Sequence, residues 1–214
     1  IAEEGCLPLT LSDAAWCQAR SRLPRDLWSV LLRRSVQRVE DLVGDRYRYH
    51  GQPVYIVDGS TVSMPDEPEL VEAFGYANTQ HGLSRFPVAR ITFITQAGAE
   101  TVVDYRIGPY QTGESAQFHA MWDQLPEGAI CLVDRYVSAF YTLSKLTRRA
   151  IDVVSRLHQR RCPDQLVRRG KKIGNQEWIV PLTLADQTRK KYDDPTLPEV
   201  LFVRLIRVRF YRQG

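Results

Sequence analysis

Two apolar runs in this chain each end on an aspartate: Val54-Tyr55-Ile56-Val57 runs into Asp58-Gly59-Ser60, and Ala129-Ile130-Cys131-Leu132-Val133 runs into Asp134-Arg135. Short apolar runs closed by a turn or helix-start signal read as strands of a buried sheet. A strand that ends this way sets its acid at the lip of the sheet. Two such acids on neighbouring strands can hold divalent ions between them.

The segments around these strands give the order of elements. Ser12-Asp13 is a capping signal for a helix from Asp13 to Arg22, and Pro24 interrupts it. A second helix from Arg25 to Val43 follows from the spacing of Leu27, Leu31, Leu32, Val36, Val39, Leu42 and Val43, with Gly44 as its stop. After Pro53 the period changes to that of strands: Val54 to Met64 around Asp58, then Arg90 to Thr95, then Thr101 to Ile107, with Gln96 to Glu100 as a hairpin connection. A helix from Gly113 and Glu114 to Leu125, a strand from Ala129 to Asp134, a helix from Ser138 to Arg149 and a short strand from Asp152 to Arg156 complete the series.

Three strands at hairpin spacing followed by αβαβ is the skeleton of the ribonuclease H-like α/β fold, a mixed sheet with flanking helices. Its first and fourth strands are neighbours, which would bring Asp58 and Asp134 together. The expected organisation is a partial helical segment over 1–50, the sheet-bearing core over 51–157, and a basic, β-rich insertion over 158–214, where Glu177 to Leu184 and Val200 to Phe210 alternate like strands.

Charge is unevenly spread. From Arg156 to Lys191 there are ten Lys or Arg against three Asp or Glu, so this stretch carries +7 in a chain of net charge +4. Clustered cations suit a phosphate backbone, and a solvated charged face is the competing reading. No apolar run approaches the roughly 20 residues of a membrane span, and Ile1-Ala2-Glu3-Glu4 has no basic region or apolar stretch of a signal peptide. The expectation is a cytoplasmic protein without a membrane partner. Cys6, Cys17, Cys131 and Cys162 form no Cys-x-x-Cys pair and read as reduced thiols rather than a zinc or disulfide framework. His81 and His119 have no partners for ligation or nucleophilic catalysis.

Several ordered blocks resemble one family. Tyr55-Ile56-Val57-Asp58-Gly59-Ser60-Thr61-Val62-Ser63-Met64-Pro65-Asp66, Phe86-Pro87-Val88-Ala89-Arg90, Ile107-Gly108-Pro109-Tyr110 with Thr112-Gly113-Glu114, and Val133-Asp134-Arg135-Tyr136-Val137-Ser138 are similar to the DDE transposases of bacterial insertion sequences, in the branch with a β-rich insertion between the second and third acids. The resemblance runs from Pro53 to Tyr211. It implies that Asp58 and Asp134 are the first two catalytic, metal-binding acids, with Mg²⁺ or Mn²⁺ as cofactor and two ions in the complete site. It also implies transposon terminal inverted repeats and target DNA as double-stranded substrates, a homodimer assembled on DNA, and association with the nucleoid when bound.

The implied chemistry is in-line attack of water or a 3′-hydroxyl on phosphorus between two ions about 3.5–4 Å apart. Carboxylate oxygens favour Mg²⁺ or Mn²⁺ over Zn²⁺. Arg135 has two readings, a phosphate contact or an ion pair with Asp134. His158, Arg160 and Arg161 stand where DNA ends are expected to approach, together with Lys171 and Lys172 of the basic segment, and a solvated turn is the alternative for the first three. Trp178 would stack on an unpaired base or fill a core.

The family's third acid is expected after the insertion, on a helix with the pattern Tyr-x-x-Arg-x-x-x-Glu-x-x-x-x-x-x-Lys. The sequence ends at Tyr211-Arg212-Gln213-Gly214, and Glu177, Glu199 and Asp193-Asp194 make no convincing substitute. The resulting expectation is a transposase fragment that is inactive by itself. A non-catalytic DNA-binding or inhibitory protein and a ribonuclease H-like nuclease are the alternatives.

Overall fold

The computed structural model describes residues 12–46, 48–79 and 82–209. Cys6, His81 and Tyr211 to Gly214 lie outside the described residues.

Helix α1 (Asp13–Ser21) begins where the Ser12 hydroxyl accepts the Ala15 N–H at 3.2 Å, and α2 (Arg25–Val43) ends at Gly44, whose φ of +52° suits glycine. Both match the sequence reading.

The main sheet is built on β1 (Val54–Ser63). It pairs antiparallel with β3 (Gly82–Gln96) and parallel with β5 (Ile130–Val133), which in turn pairs parallel with β6 (Asp152–Ser155). Strand β4 (Thr101–Pro109) lies antiparallel on β3, and β2 (Tyr76–Thr79) forms a hairpin on the first part of β3. The first three core strands are antiparallel and the last two run parallel to β1, as the ribonuclease H-like order requires. Helix α3 (Pro68–Phe74) and β2 are not anticipated from sequence.

Burial is one-sided. Tyr55, Val57, Ile94, Cys131 and Val133 face a core completed by Phe118, Met121, Leu125, Val137, Leu146 and Ile151 from α4 (Glu114–His119), α5 (Phe140–Arg148) and their flanking turns. On the opposite face Ile56 is 39% exposed and Val154 54% exposed, so these strands are not buried on both sides among the described residues.

The helix expected to run to Leu125 stops at His119. The Ala120 N–H turns back onto carbonyls of α4, and a single 3-10 turn (Trp122–Gln124) follows. Phe118, Met121 and Leu125 all point inward across the break at 0–1% exposure. Arg149 closes it, donating to the Trp122 and Leu125 carbonyls at 2.8 Å each.

Beyond β6 a second, antiparallel sheet forms in the order β7 (Lys171–Gly174), β8 (Glu177–Thr183) and β9 (Val200–Ile206), with helices α6 (Pro163–Arg169) and α7 (Asp186–Tyr192). Strands β8 and β9 follow the predicted alternation, whereas β7 and the two helices are additional. Leu182, Leu184 and Leu197 pack against Phe140 of α5, and the Tyr141 and Tyr192 rings stack with centroids 3.7 Å apart. An ion pair from Lys145 to Asp194 fastens the same junction, and with Thr196 it holds the Asp194 carboxyl far below the usual range. No helix among the described residues is long and apolar enough to cross a membrane.

Candidate functional site

Asp58 and Asp134 stand abreast because of strand register. In the parallel pair β1/β5, Val57 is opposite Val133, so the next residue of each chain segment is the acid. The two are 76 positions apart in sequence and adjacent where β5 ends, but only Asp134 follows a strand end: β1 runs on to Ser63 with Asp58 opposite Phe93 of β3, so the strand-end reading of Asp58 does not hold. The Asp58 carboxylate is exposed and accepts the Gly59 N–H at 2.9 Å. Asp134 is half-buried, and its carbonyl accepts the Val137 and Ser138 N–H groups in the turn after β5.

Asp134 pairs with Arg156, 3.3 Å from Oδ1, and not with Arg135. The reason is again register. Strands β5 and β6 are parallel with Val133 opposite Ser155, so Arg156 emerges beside Asp134. Arg135 instead reaches Gln159 Oε1 at 3.4 Å and lies near the Tyr136 ring, and its Nε is buried without a partner. Because Arg156 is largely exposed, its pair with Asp134 is loose and readily exchanged.

The structure brings part of the predicted cationic set to this site. His158 meets the Tyr136 ring edge-on at 5.5 Å, its Nδ1 accepts the Arg160 N–H, and Gln159 donates to the Tyr136 hydroxyl. Arg160 is exposed. Arg161 is half-buried, and burial lowers its pKa from its usual high value. Lys171 and Lys172 are exposed on β7, and Trp178 stands opposite Lys172 on β8. These three belong to the second sheet and make no hydrogen bond, ion pair or ring contact with the aspartates. Trp178 is half-buried, with the Arg207 guanidinium 5.7 Å from its ring.

The sequence reads Glu114 as the residue that opens a helix and as part of the block Thr112-Gly113-Glu114, with no role at the acids, yet it sits near this site. A Cβ on Gly59 would lie 2.8 Å from Glu114 Cδ, so the glutamate side chain rests on the backbone of the residue after Asp58. Burial, then the charge of Asp58, and less strongly that of Asp134, raise its pKa against the opposing pull of Arg90. Its Oε1 is buried without a hydrogen-bond partner. A polar cavity of about 360 Å³ opens here, lined by Gly59, Ser60, Thr61, Arg90, Tyr110 and Glu114. The signal in the sequence is Gly59 itself, since glycine inside a strand often marks a close approach. Its partner cannot be read from the sequence. Among the described residues, no three His, Cys, Asp or Glu already stand together closely enough to hold a metal ion.

His119, assigned no role from sequence, lies in an aromatic cluster with Trp122 and Tyr141 and within hydrogen-bond distance of Thr142 Oγ1, and burial pushes its pKa down to about 4. Cys131 is fully buried, which pushes its thiol up to about 12.

The chain is 27% identical over 175 residues to the Escherichia coli (strain K12) protein named "Putative transposase InsZ", an alignment covering 80% of this chain and 50% of that protein. The chain thus spans about half the length of the curated relative it matches. Residues 49–209, which include the main sheet, both aspartates and the second sheet, match the transposase DDE domain family. By that match the chain belongs to the transposase DDE domain family.

Proposed function

We propose that Asp58 and Asp134 hold a divalent cation, Mg²⁺ or Mn²⁺, for phosphoryl transfer on DNA: strand cleavage and transfer at the ends of an insertion sequence, carried out by the whole protein to which this domain belongs. The observation that carries the reading is the parallel β1/β5 pairing, in which Asp58 and Asp134 each directly follow the last paired residues, Val57 and Val133. The donor set fits the cation, because carboxylate oxygens are hard ligands and no thiolate or imidazole stands among them. Bound there, the cation supplies activation of the attacking oxygen and stabilisation of the leaving oxygen, and the complete site takes two.

The residues of this chain do the rest. Asp58 is free to ligate through the oxygen that the Gly59 N–H does not use, and Asp134 can exchange Arg156 for the cation. Arg156, once released, and Arg135 are placed to meet a phosphate beside the acids. The substrates are double-stranded terminal inverted repeats and target DNA, and the working assembly is a homodimer on DNA, located in the cytoplasm at the nucleoid.

In the same reading, segment 158–214 is an insertion that lays its cations along the duplex. His158, Arg160 and Arg161 lie nearest the acids, Lys171 and Lys172 continue the track on β7, and Trp178 offers a stacking surface. The test is salt dependence. Replacing Arg160, Arg161, Lys171 and Lys172 together by glutamine is expected to weaken duplex binding and to flatten the plot of log affinity against log salt by about 0.9 for each phosphate that is no longer neutralised. An unchanged slope in a fluorescence-anisotropy titration sinks the DNA face.

A further inference from the structure

We propose that strand β9 is an association surface for a second copy of this chain. The two β9 strands pair antiparallel about a two-fold axis and join two three-stranded sheets into one of six. This pairing needs neither DNA nor a cation, so it stands apart from the reading of the two aspartates.

The second sheet has two edges, and they differ in kind. Strand β7 has four residues, carries Lys171 and Lys172, and slips register between Lys172 and Gly174. Brevity, charge and irregularity are the devices that keep an edge strand from pairing. Strand β9 carries one charge, Arg204, and neither of the other devices. It runs seven residues, Val200–Ile206, in unbroken register against β8 and contains no proline.

Register shows which backbone groups are open. At the two ends of the β8/β9 ladder, the Leu184 N–H donates to the Glu199 carbonyl and the Arg207 N–H to the Gln176 carbonyl, each at 2.9 Å. Bonded and unbonded pairs alternate along an antiparallel ladder. Leu201, Val203 and Leu205 therefore bond to β8, while Val200, Phe202, Arg204 and Ile206 turn their N–H and C=O groups outward. Pro181 fits this parity, since it has no N–H and stands opposite Phe202 in an unbonded pair. The pleat also sets the side chains of these four residues on the open face, where Phe202 is 73% and Ile206 51% exposed. Leu201 and Val203 point the other way, into the cluster around Phe140.

The outward residues are complementary to themselves. Centred on Val203, the two-fold pairing sets Val200 opposite Ile206 of the second copy and Phe202 opposite its Arg204, each contact occurring twice. An apolar pair and a cation on an aromatic ring both stabilise neighbouring strands. A shift of two residues one way opposes Arg204 to Arg204. The shift the other way opposes Ile206 to Pro198, which has no N–H. In the favoured register the two Arg204 side chains are diagonal neighbours, and each is held by its own Glu177 at 2.6 Å, which tempers their repulsion. A two-fold contact of this kind closes on itself and stops at two copies.

The test is sedimentation equilibrium of the 214-residue chain without DNA or metal. Concentrations run up to about 200 µM, because a contact between two strand edges buries little surface and associates weakly. A concentration-dependent dimer is expected. Phe202→Arg is expected to weaken it by about 10-fold or more, since both cross-strand pairs turn from attraction to repulsion. Phe202→Glu meets Arg204 with the opposite charge and is expected to stay within about 3-fold of the parent. Melting curves at low concentration check that both variants fold. Amide exchange followed by NMR reads the backbone: the Phe202, Arg204 and Ile206 N–H groups exchange more slowly as concentration rises, while those of Leu201, Val203 and Leu205 are protected throughout. A chain that stays monomeric overturns the proposal and leaves a homodimer on DNA to other contacts. A dimer that Phe202→Arg weakens no more than Phe202→Glu, or whose outward amides do not respond to concentration, overturns it as well.

Discussion

Asp58→Asn and Asp134→Asn are each expected to bind Mn²⁺ more than about 100-fold more weakly than the parent chain, since losing even an outer-shell partner of a metal site costs about 10–100-fold. Asparagine keeps the shape of the side chain and, at position 58, keeps an oxygen to accept the Gly59 N–H at 2.9 Å. Strand β1 should therefore survive around position 58 and only the ligand charge is lost. If both acids serve the same ion, the losses do not add: the double variant is little worse than either single one. Two independent weak sites would give losses that add in free energy. Titration calorimetry on the three variants separates these outcomes.

Phe118→Ala is expected to destabilise the chain by about 3–5 kcal/mol, the usual cost of removing a fully buried phenylalanine. Phe118 is 0% exposed and meets Trp122 edge-on at 6.3 Å, and it is the point at which α4 enters the core. The cavity left behind cannot be refilled cheaply. Tyr55, Val57 and Cys131 are fixed by strand pairing, and Arg149 pins the turn on the other side. Urea denaturation measures the loss through a shift of the midpoint at unchanged slope. A loss under about 1 kcal/mol would mean that α4 is not docked as described, and the placement of Glu114 would fall with it.

What the sequence made legible depended on how far each feature reached. The pairing of Asp58 with Asp134 was legible because two apolar runs and the order of elements fix a parallel β1/β5 neighbourhood, and register then decides which residues meet. Helices α1 and α2 were legible from a serine cap, a proline break and a glycine stop, all local signals. The end of α4 was not. Phe118, Met121, Trp122 and Leu125 suit a continuous helix as well as a helix followed by a 3-10 turn, and only packing against the sheet selects the second. Helices α3, α6 and α7 have seven residues each, too short to show a clear period.

The cationic partner of Asp134 was hidden for a related reason. Arg135 is next to Asp134 in sequence, but parallel pairing with β6 brings Arg156 to it instead. Glu114 was hidden because its contact with Gly59 crosses 55 residues and is made by a helix docking on a strand, which no local pattern records.

The central claim is that one cation touches chain segments 76 residues apart, and metal-directed cleavage tests it most directly. Fe²⁺ is bound in place of Mg²⁺, ascorbate and peroxide are added, and backbone cuts are mapped by mass spectrometry. The account predicts cuts near Asp58 and near Asp134 in the same sample, with both suppressed by excess Mg²⁺. Cuts at only one of the two, or cuts elsewhere that Mg²⁺ does not suppress, would contradict it.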